Sequence, residues 1–227
     1  MRLPFLLVVL SFWTWTSAQA TVSFHLDTNP GAIPDGSVSG LSRSFDLDIA
    51  GETIVSLEIG LAIRGVGPAF LGDLYVYITD GTNLVTLLNR PGRDESTPDG
   101  YDDNQSINIT FNDAATDDIH IYRISVTGSA EAPLASALTG NFQPDGRPED
   151  PTAVTTSSPR TLSLSDFYGL SAQRTFTLFV ADLSTGASHE LESWSITVET
   201  VPEPSSILLL TTGAAFAFRR RRTRHCV

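Results

Sequence analysis

A chain of 227 residues, 41% hydrophobic and 18% charged, has the length for one core of sandwich or barrel size rather than two. Between Thr21 and Thr200 it carries 25 acidic residues against 8 arginines, a surface that repels phosphate backbones and excludes nucleic acid as a partner. The one cysteine, Cys226, excludes an intramolecular disulfide and a cysteine-built metal site.

At the N-terminus, Arg2 is followed by an apolar run from Leu3 to Trp15 and by Ala18-Gln19-Ala20. The run is too short to span a bilayer and ends in small residues at the −3 and −1 positions of a signal-peptidase site. Residues 1–20 therefore read as a cleaved secretory signal, with the mature chain starting at Thr21 outside the cytoplasm.

Thr21 to Asp27 alternates and predicts a first strand; Asn29-Pro30-Gly31 and Pro34-Asp35-Gly36 are turn chemistry. Arg43 to Ile49 and Thr53 to Arg64 alternate again, the second with Val55, Leu57, Ile59, Leu61 and Ile63 on one face. In the centre, Leu74, Val76 and Ile78 alternate with Tyr75, Tyr77 and Thr79. Asp80-Gly81 lets the chain reverse into Leu84–Leu88, giving a hairpin opened by Gly72-Asp73. Asn89 to Asn104 lacks an apolar period and reads as a surface loop. Ser106–Phe111, Ile119–Val126, Thr175–Ala181 and Leu191–Val198 read as four further strands, with Gly140 to Arg160 a long mobile loop. Helical period is confined to the C-terminal tail. Short strands with polar turns predict an all-β fold, a β-sandwich of jelly-roll type over residues 21–200.

Residues 201–227 hold three parts in order: Pro202-Glu203-Pro204, an uncharged run from Ser205 to Phe218, and Arg219, Arg220, Arg221 and Arg222. The run makes a helix of roughly 21 Å against a hydrocarbon thickness of roughly 30 Å, with the arginines on the cytoplasmic side. This layout resembles the PEP-CTERM sorting signal of Gram-negative bacteria. The resemblance implies export through the inner membrane, transient attachment there by the tail, and processing by an exosortase-type enzyme after signal peptidase. The destination it implies is the cell envelope, the cell surface or the exterior.

A second resemblance spans most of Ser44 to Val198. Gly72-Asp73-Leu74 with its hairpin, Ala132-Pro133-Leu134, Thr139 to Pro144, Leu164 to Gly169, Thr175 to Asp182 and Leu191 to Ile196 are similar to the proprotein convertase P domain (P/Homo B). That family is a β-sandwich found beside subtilisin-like proteases and, in bacteria, alone or with other modules on secreted proteins. Where the family has a short link, this chain inserts residues 145–160.

A serine-protease triad needs a nucleophile, a base and an orienting acid. The body has only His25, His120 and His189, none beside a G-x-S-x-G motif, so the expectation is no enzyme. The P-domain resemblance implies acidic residues near strand ends at Asp73 and Asp182, which with the oxygen-dense Asp99–Asn104 loop would suit calcium; the alternative is that they cap turns. Tyr75 and Tyr77 face away from the core side of their strand and are candidates for a ligand surface. Trp194 is either a sugar platform or, with Ile196 and Val198, core. The expected function is a non-catalytic structural or binding module of the bacterial envelope or extracellular matrix, its partner a glycan or a matrix protein. The alternatives are a lectin-like carbohydrate- or protein-binding module and an accessory domain for a secreted subtilisin-like protease.

Overall fold

The computed structural model describes residues 20–186 and 188–203, so the expected signal peptide through residue 19 and the sorting tail from Pro204 lie outside the described residues. Alternating apolar residues build β1 (Thr21–Asp27), β2 (Gly31–Ile33), β3 (Ser37–Val66), β4 (Leu74–Thr79), β5 (Leu84–Asn89), β6 (Ile107–Phe111), β7 (Leu138–Phe142), β8 (Ser171–Asp182) and β9 (Ser188–Pro202). They hydrogen-bond in the order β1-β9-β3-β8-β4-β5. β2 continues the β1 edge along β9, and β6 and β7 extend the sheet from β3. Every pairing is antiparallel except β6 with β7.

β3 joins the two halves of this sheet. Arg43–Ile49 and Thr53–Arg64, two strands by the sequence reading, belong to one strand of 30 residues. Its first half pairs with β8 and its second with β9 and β6. Between them the β8 register jumps from Asp48 to Thr53, and Gly51 takes φ 74°, a left-handed conformation that only glycine adopts without steric cost. Each half turns one apolar face to a common core. Leu47, Leu74, Val76, Ile78, Phe176 and Leu178 come from one half; Leu57, Ile59, Leu61, Ile63, Trp194 and Ile196 come from the other. The fold is all-β and sandwich-like, and Trp194, 1% exposed, is core rather than platform.

Four local expectations are corrected. A second register shift, between Ile54 and Ser56, puts Ile54 inside and leaves Val55 39% exposed, so Val55 does not share the face of Leu57. Ile119–Val126 is not a strand but a 3-10 turn, Ile119–Ile121, leading into a short helix α1, Tyr122–Thr127. Asp118 accepts from the His120 N–H at 2.9 Å at its start, and Gly128, φ 82°, closes its end. The Asn89–Asn104 loop is not merely superficial, since Tyr101 and Asp103 are buried and the Leu71 and Gly72 N–H groups donate to Asp103 and Tyr101 carbonyls at 2.9 Å. The Gly140–Arg160 segment begins as strand (β7) and then runs buried through Asp145 and Arg147.

β9 continues through Val201 and Pro202, paired with Thr53 and Glu52, and the Glu203 N–H donates to Gly51 O at 2.9 Å. Pro202, which lacks an N–H, ends the ladder, so the exit toward the tail starts at the last rung of the sheet rather than after a free linker.

Candidate functional site

Side chains alternate along β4, so with Leu74, Val76 and Ile78 in the core, Tyr75 and Tyr77 stand on the outer face. β8 runs beside it with Ala181 opposite Tyr75 and Phe179 opposite Tyr77. Tyr77 stacks on Phe179 with ring centres 4.7 Å apart and planes 19° apart, and Tyr75 tilts against Tyr77 at 5.7 Å. These half-buried rings floor a groove of about 400 Å³, with Asp150, Pro151 and Thr152 as one wall. Burial pushes the Tyr75 phenol up and the neighbouring Tyr77 adds to it, so the floor presents a protonated phenol. A flat, mainly apolar floor edged by hydroxyls can stack a ring and hydrogen-bond its rim. Tyr75 and Tyr77 thus share the outward face expected of them. Phe179 was missed, although its alternation with Leu178 and Val180 carries the signal.

The wall belongs to residues 145–160, and it is fastened. Asn89 Nδ2 donates to the Arg147 carbonyl at 3.2 Å and the Glu149 carbonyl at 2.9 Å. Arg93 donates to the Val154 carbonyl at 2.5 Å and to that of Thr152. Behind them lies a buried polar lock. Asp145 Oδ2 is 2.8 Å from His120 Nδ1 and accepts the Asn89 N–H at 3.2 Å, while Oδ1 accepts from Arg147 Nη1 at 3.1 Å. Arg147 also forks onto the two Asp118 oxygens at 2.9 and 3.2 Å. Burial alone would raise the Asp118 carboxyl, but the Arg147 hydrogen bond and charge outweigh it and hold it below its ordinary value.

Asp73 and Asp182 are brought together at the far end of the hairpin, since Asp182 pairs with Leu74. Both are buried and already engaged. Asp182 Oδ2 is 2.7 Å from His189 Nδ1, and Oδ1 accepts the Ser184 N–H at 3.3 Å. Arg90 Nη2 lies 3.8 Å from Asp73 Oδ1 and donates to Ser184 Oγ at 3.3 Å, while its Nε donates to Gly72 O at 3.1 Å. Among the described residues Arg90 is the one non-glycine with positive φ, 50°. Burial pushes Asp73 up and the Asp182 charge adds to it, against the Ser184 hydrogen bond and Arg90. Calcium wants six or more oxygens. Here an arginine and a histidine occupy the approach, and among the described residues no three His, Cys, Asp or Glu side chains are gathered as a metal would need.

The oxygen-dense Asp99–Asn104 loop is likewise engaged inward. Asp103 accepts from Tyr122 Oη and Arg123 Nε at 2.7 Å and from the Leu134 N–H at 2.6 Å, and Asp102 accepts from Arg123 at 2.5 Å. A wider hollow of about 790 Å³ over this loop is rimmed by Asp94, Asp99 and Glu131. Asp94, held down at about 2, first by its bond from Ser96, caps its own turn. Of the three body histidines, His25 stacks on Phe45 at 4.3 Å, and His120 and His189 are buried against aspartates, so none of them lines the aromatic groove.

Pro202 and Glu203 of the sorting motif are exposed at the end of β9; Pro204 and Arg219–Arg222 lie outside the described residues. No curated protein matches the chain. A family model described as the PEP-CTERM protein-sorting motif matches residues 200–222, beginning within β9, and marks the chain for export and for sorting to the cell envelope or surface by an exosortase-type system.

Proposed function

We propose that this protein is a non-catalytic binding module of the bacterial envelope or extracellular matrix, built on a P-domain-like sandwich of jelly-roll type. The sorting-motif match at residues 200–222 carries the reading. A tail addressed to the surface delivers a body that carries an aromatic-floored groove and whose His120 and His189 are bonded to buried aspartates. The test is fractionation of cells expressing the epitope-tagged chain with Pro202, Glu203 and Pro204 intact or replaced by alanine. The intact chain reaches the surface or medium; the variant stays with the inner membrane. Equal surface delivery of both refutes sorting through this motif.

The stack of Tyr77 on Phe179 favours carbohydrate as the ligand class. A pyranose face lies flat on such a floor, and Tyr75 and Thr152, which line the groove, bring hydroxyl groups to it. Glycan-array binding followed by titration calorimetry tests this, with Tyr77→Ala expected to weaken binding about tenfold, ~1.4 kcal/mol. Undiminished binding in that variant moves the ligand elsewhere.

A further inference from the structure

The amphipathic sense of β1 is inverted. Ser23, His25 and Asp27 turn inward, His25 onto Phe45 and Asp27 to within 3.7 Å of Arg43 Nε, while Val22, Phe24 and Leu26 are 59%, 64% and 50% exposed. A slip of one residue would bury all three apolar side chains. The strand instead keeps full register with β9, from Thr21 opposite Thr200 to Asp27 opposite Trp194. Among the described residues β1 is also an edge, paired on one side only, and it carries none of the usual guards: no lysine, no proline and no bulge. Beside the stripe, β9 offers Glu199, Thr197 and Ser195, which are polar, so the stripe finds no apolar cross-strand neighbour on its paired side.

We propose that β1 is a pairing edge for a second copy of this chain. An antiparallel pair of β1 strands about a two-fold axis through Phe24 sets Phe24 against its own counterpart and Val22 against Leu26 twice over. Every exposed apolar residue of the stripe then meets another on the same face. Charge points to the same edge. Two bodies that each carry 25 acids against 8 arginines repel, and Thr21 to Leu26 contains no acidic or basic residue apart from the inward-facing His25. Contact by one seven-residue strand is small for a protein interface, so the dimer is weak, in the micromolar range. Salt strengthens it by screening the surrounding carboxylates. The pairing is independent of what the aromatic groove binds.

Sedimentation velocity of the full chain from about 1 to 200 μM, at low and high salt, reads the dimer directly. The expected result is a monomer–dimer equilibrium, tighter in salt and abolished by Phe24→Glu. Phe24 is exposed, so that variant keeps the wild-type melting point. In a Cys226→Ser background, mild oxidation is expected to cross-link Phe24→Cys into dimers and to leave Val38→Cys, 84% exposed on β3, monomeric. A monomer at all concentrations, association unaffected by Phe24→Glu, or equal cross-linking at both positions overturns the pairing. The stripe would then face another occupant, a foreign strand or a lipid surface.

Discussion

Replacing Asn89 by alanine tests whether the 145–160 segment is a built wall of the groove or a loop resting on it. Asn89 is fully buried, and its amide is the donor for two carbonyls of the segment, those of Arg147 and Glu149. Alanine leaves both without that donor, the first deeply buried and the second half-buried. An unsatisfied buried acceptor costs about 1–3 kcal/mol, so the pair costs roughly 2–4 kcal/mol. For a body of this size that lowers the melting midpoint by about 4–15 °C. Circular dichroism reads the midpoint, and hydrogen exchange reads where the loss falls. The Ala153 and Val154 amides, which donate to Asp150 O at 2.8 and 3.0 Å, should exchange faster, while β9 keeps its protection. Glycan affinity should fall as well, since Asp150, Pro151 and Thr152 wall the groove. Unchanged exchange at 153–154, or a loss spread evenly over the sheet, would refute the fastened wall.

Asp145→Ala strips the buried lock of the acid that meets both Arg147 and His120, and is expected to cost about 3–5 kcal/mol by equilibrium denaturation. A loss below about 1 kcal/mol would mean that the lock contributes little. Asp118 has a depressed folded value, so its contribution is present above 3.8 and is lost as pH falls through the folded value; Asp118→Asn should flatten that acid limb in pH-dependent melts. Asp73 has the opposite sign. Its folded value is raised, so the folded state is relatively favoured below 3.8 and loses that advantage as pH rises through the folded value; Asp73→Asn should remove this loss, visible at pH 7 and absent near pH 3. Because Arg90 and His189 already hold Asp73 and Asp182, millimolar calcium after EDTA is expected to leave the midpoint unchanged. A calcium-specific rise of about 2.7 kcal/mol at a hundredfold excess, lost in Asp182→Asn, would establish the ion site instead.

Period-two alternation made most strands legible as strands, because it is a local pattern: Thr21–Asp27 and Leu74–Thr79 are strands as their alternation predicts, although only in the second do the apolar residues face the core. What alternation could not show is where a strand changes partners. Gly51 looks like a turn, yet the strand continues past it into a second set of neighbours, a fact fixed by β8 and β9 more than a hundred residues away. Ile124 and Val126 completed a false strand pattern because both lie on the exposed side of α1, at 46% and 52% exposure, whereas the true signals were Asp118, which caps the 3-10 turn ahead of the helix, and Gly128 at the helix's end. The groove was half legible for a related reason. Tyr75 and Tyr77 share one strand, but their wall comes from a polar segment, residues 145–160, whose order depends on Asn89, Arg93 and Asp118 meeting it from elsewhere in the chain. Polar residues without a period read as loop unless their partners are known.

The eight body arginines narrow what the groove can meet. Arg43, Arg64, Arg90, Arg123, Arg147, Arg160 and Arg174 each stand within ion-pair distance of a carboxylate of the same chain, and Arg93 is turned onto the carbonyls of the 145–160 segment. The 25 acids outnumber them threefold, so the charge shown to solvent is carboxylate. Asp150 stands in the groove wall itself. A uronic-acid or sulfated polymer would meet like charge, with every arginine among the described residues already engaged, whereas a neutral glycan loses nothing by approaching. Binding of neutral oligosaccharides should therefore be nearly insensitive to ionic strength, and any binding of anionic ones should increase with salt. Tight, salt-sensitive binding of an anionic polysaccharide at low ionic strength would overturn this account of the surface.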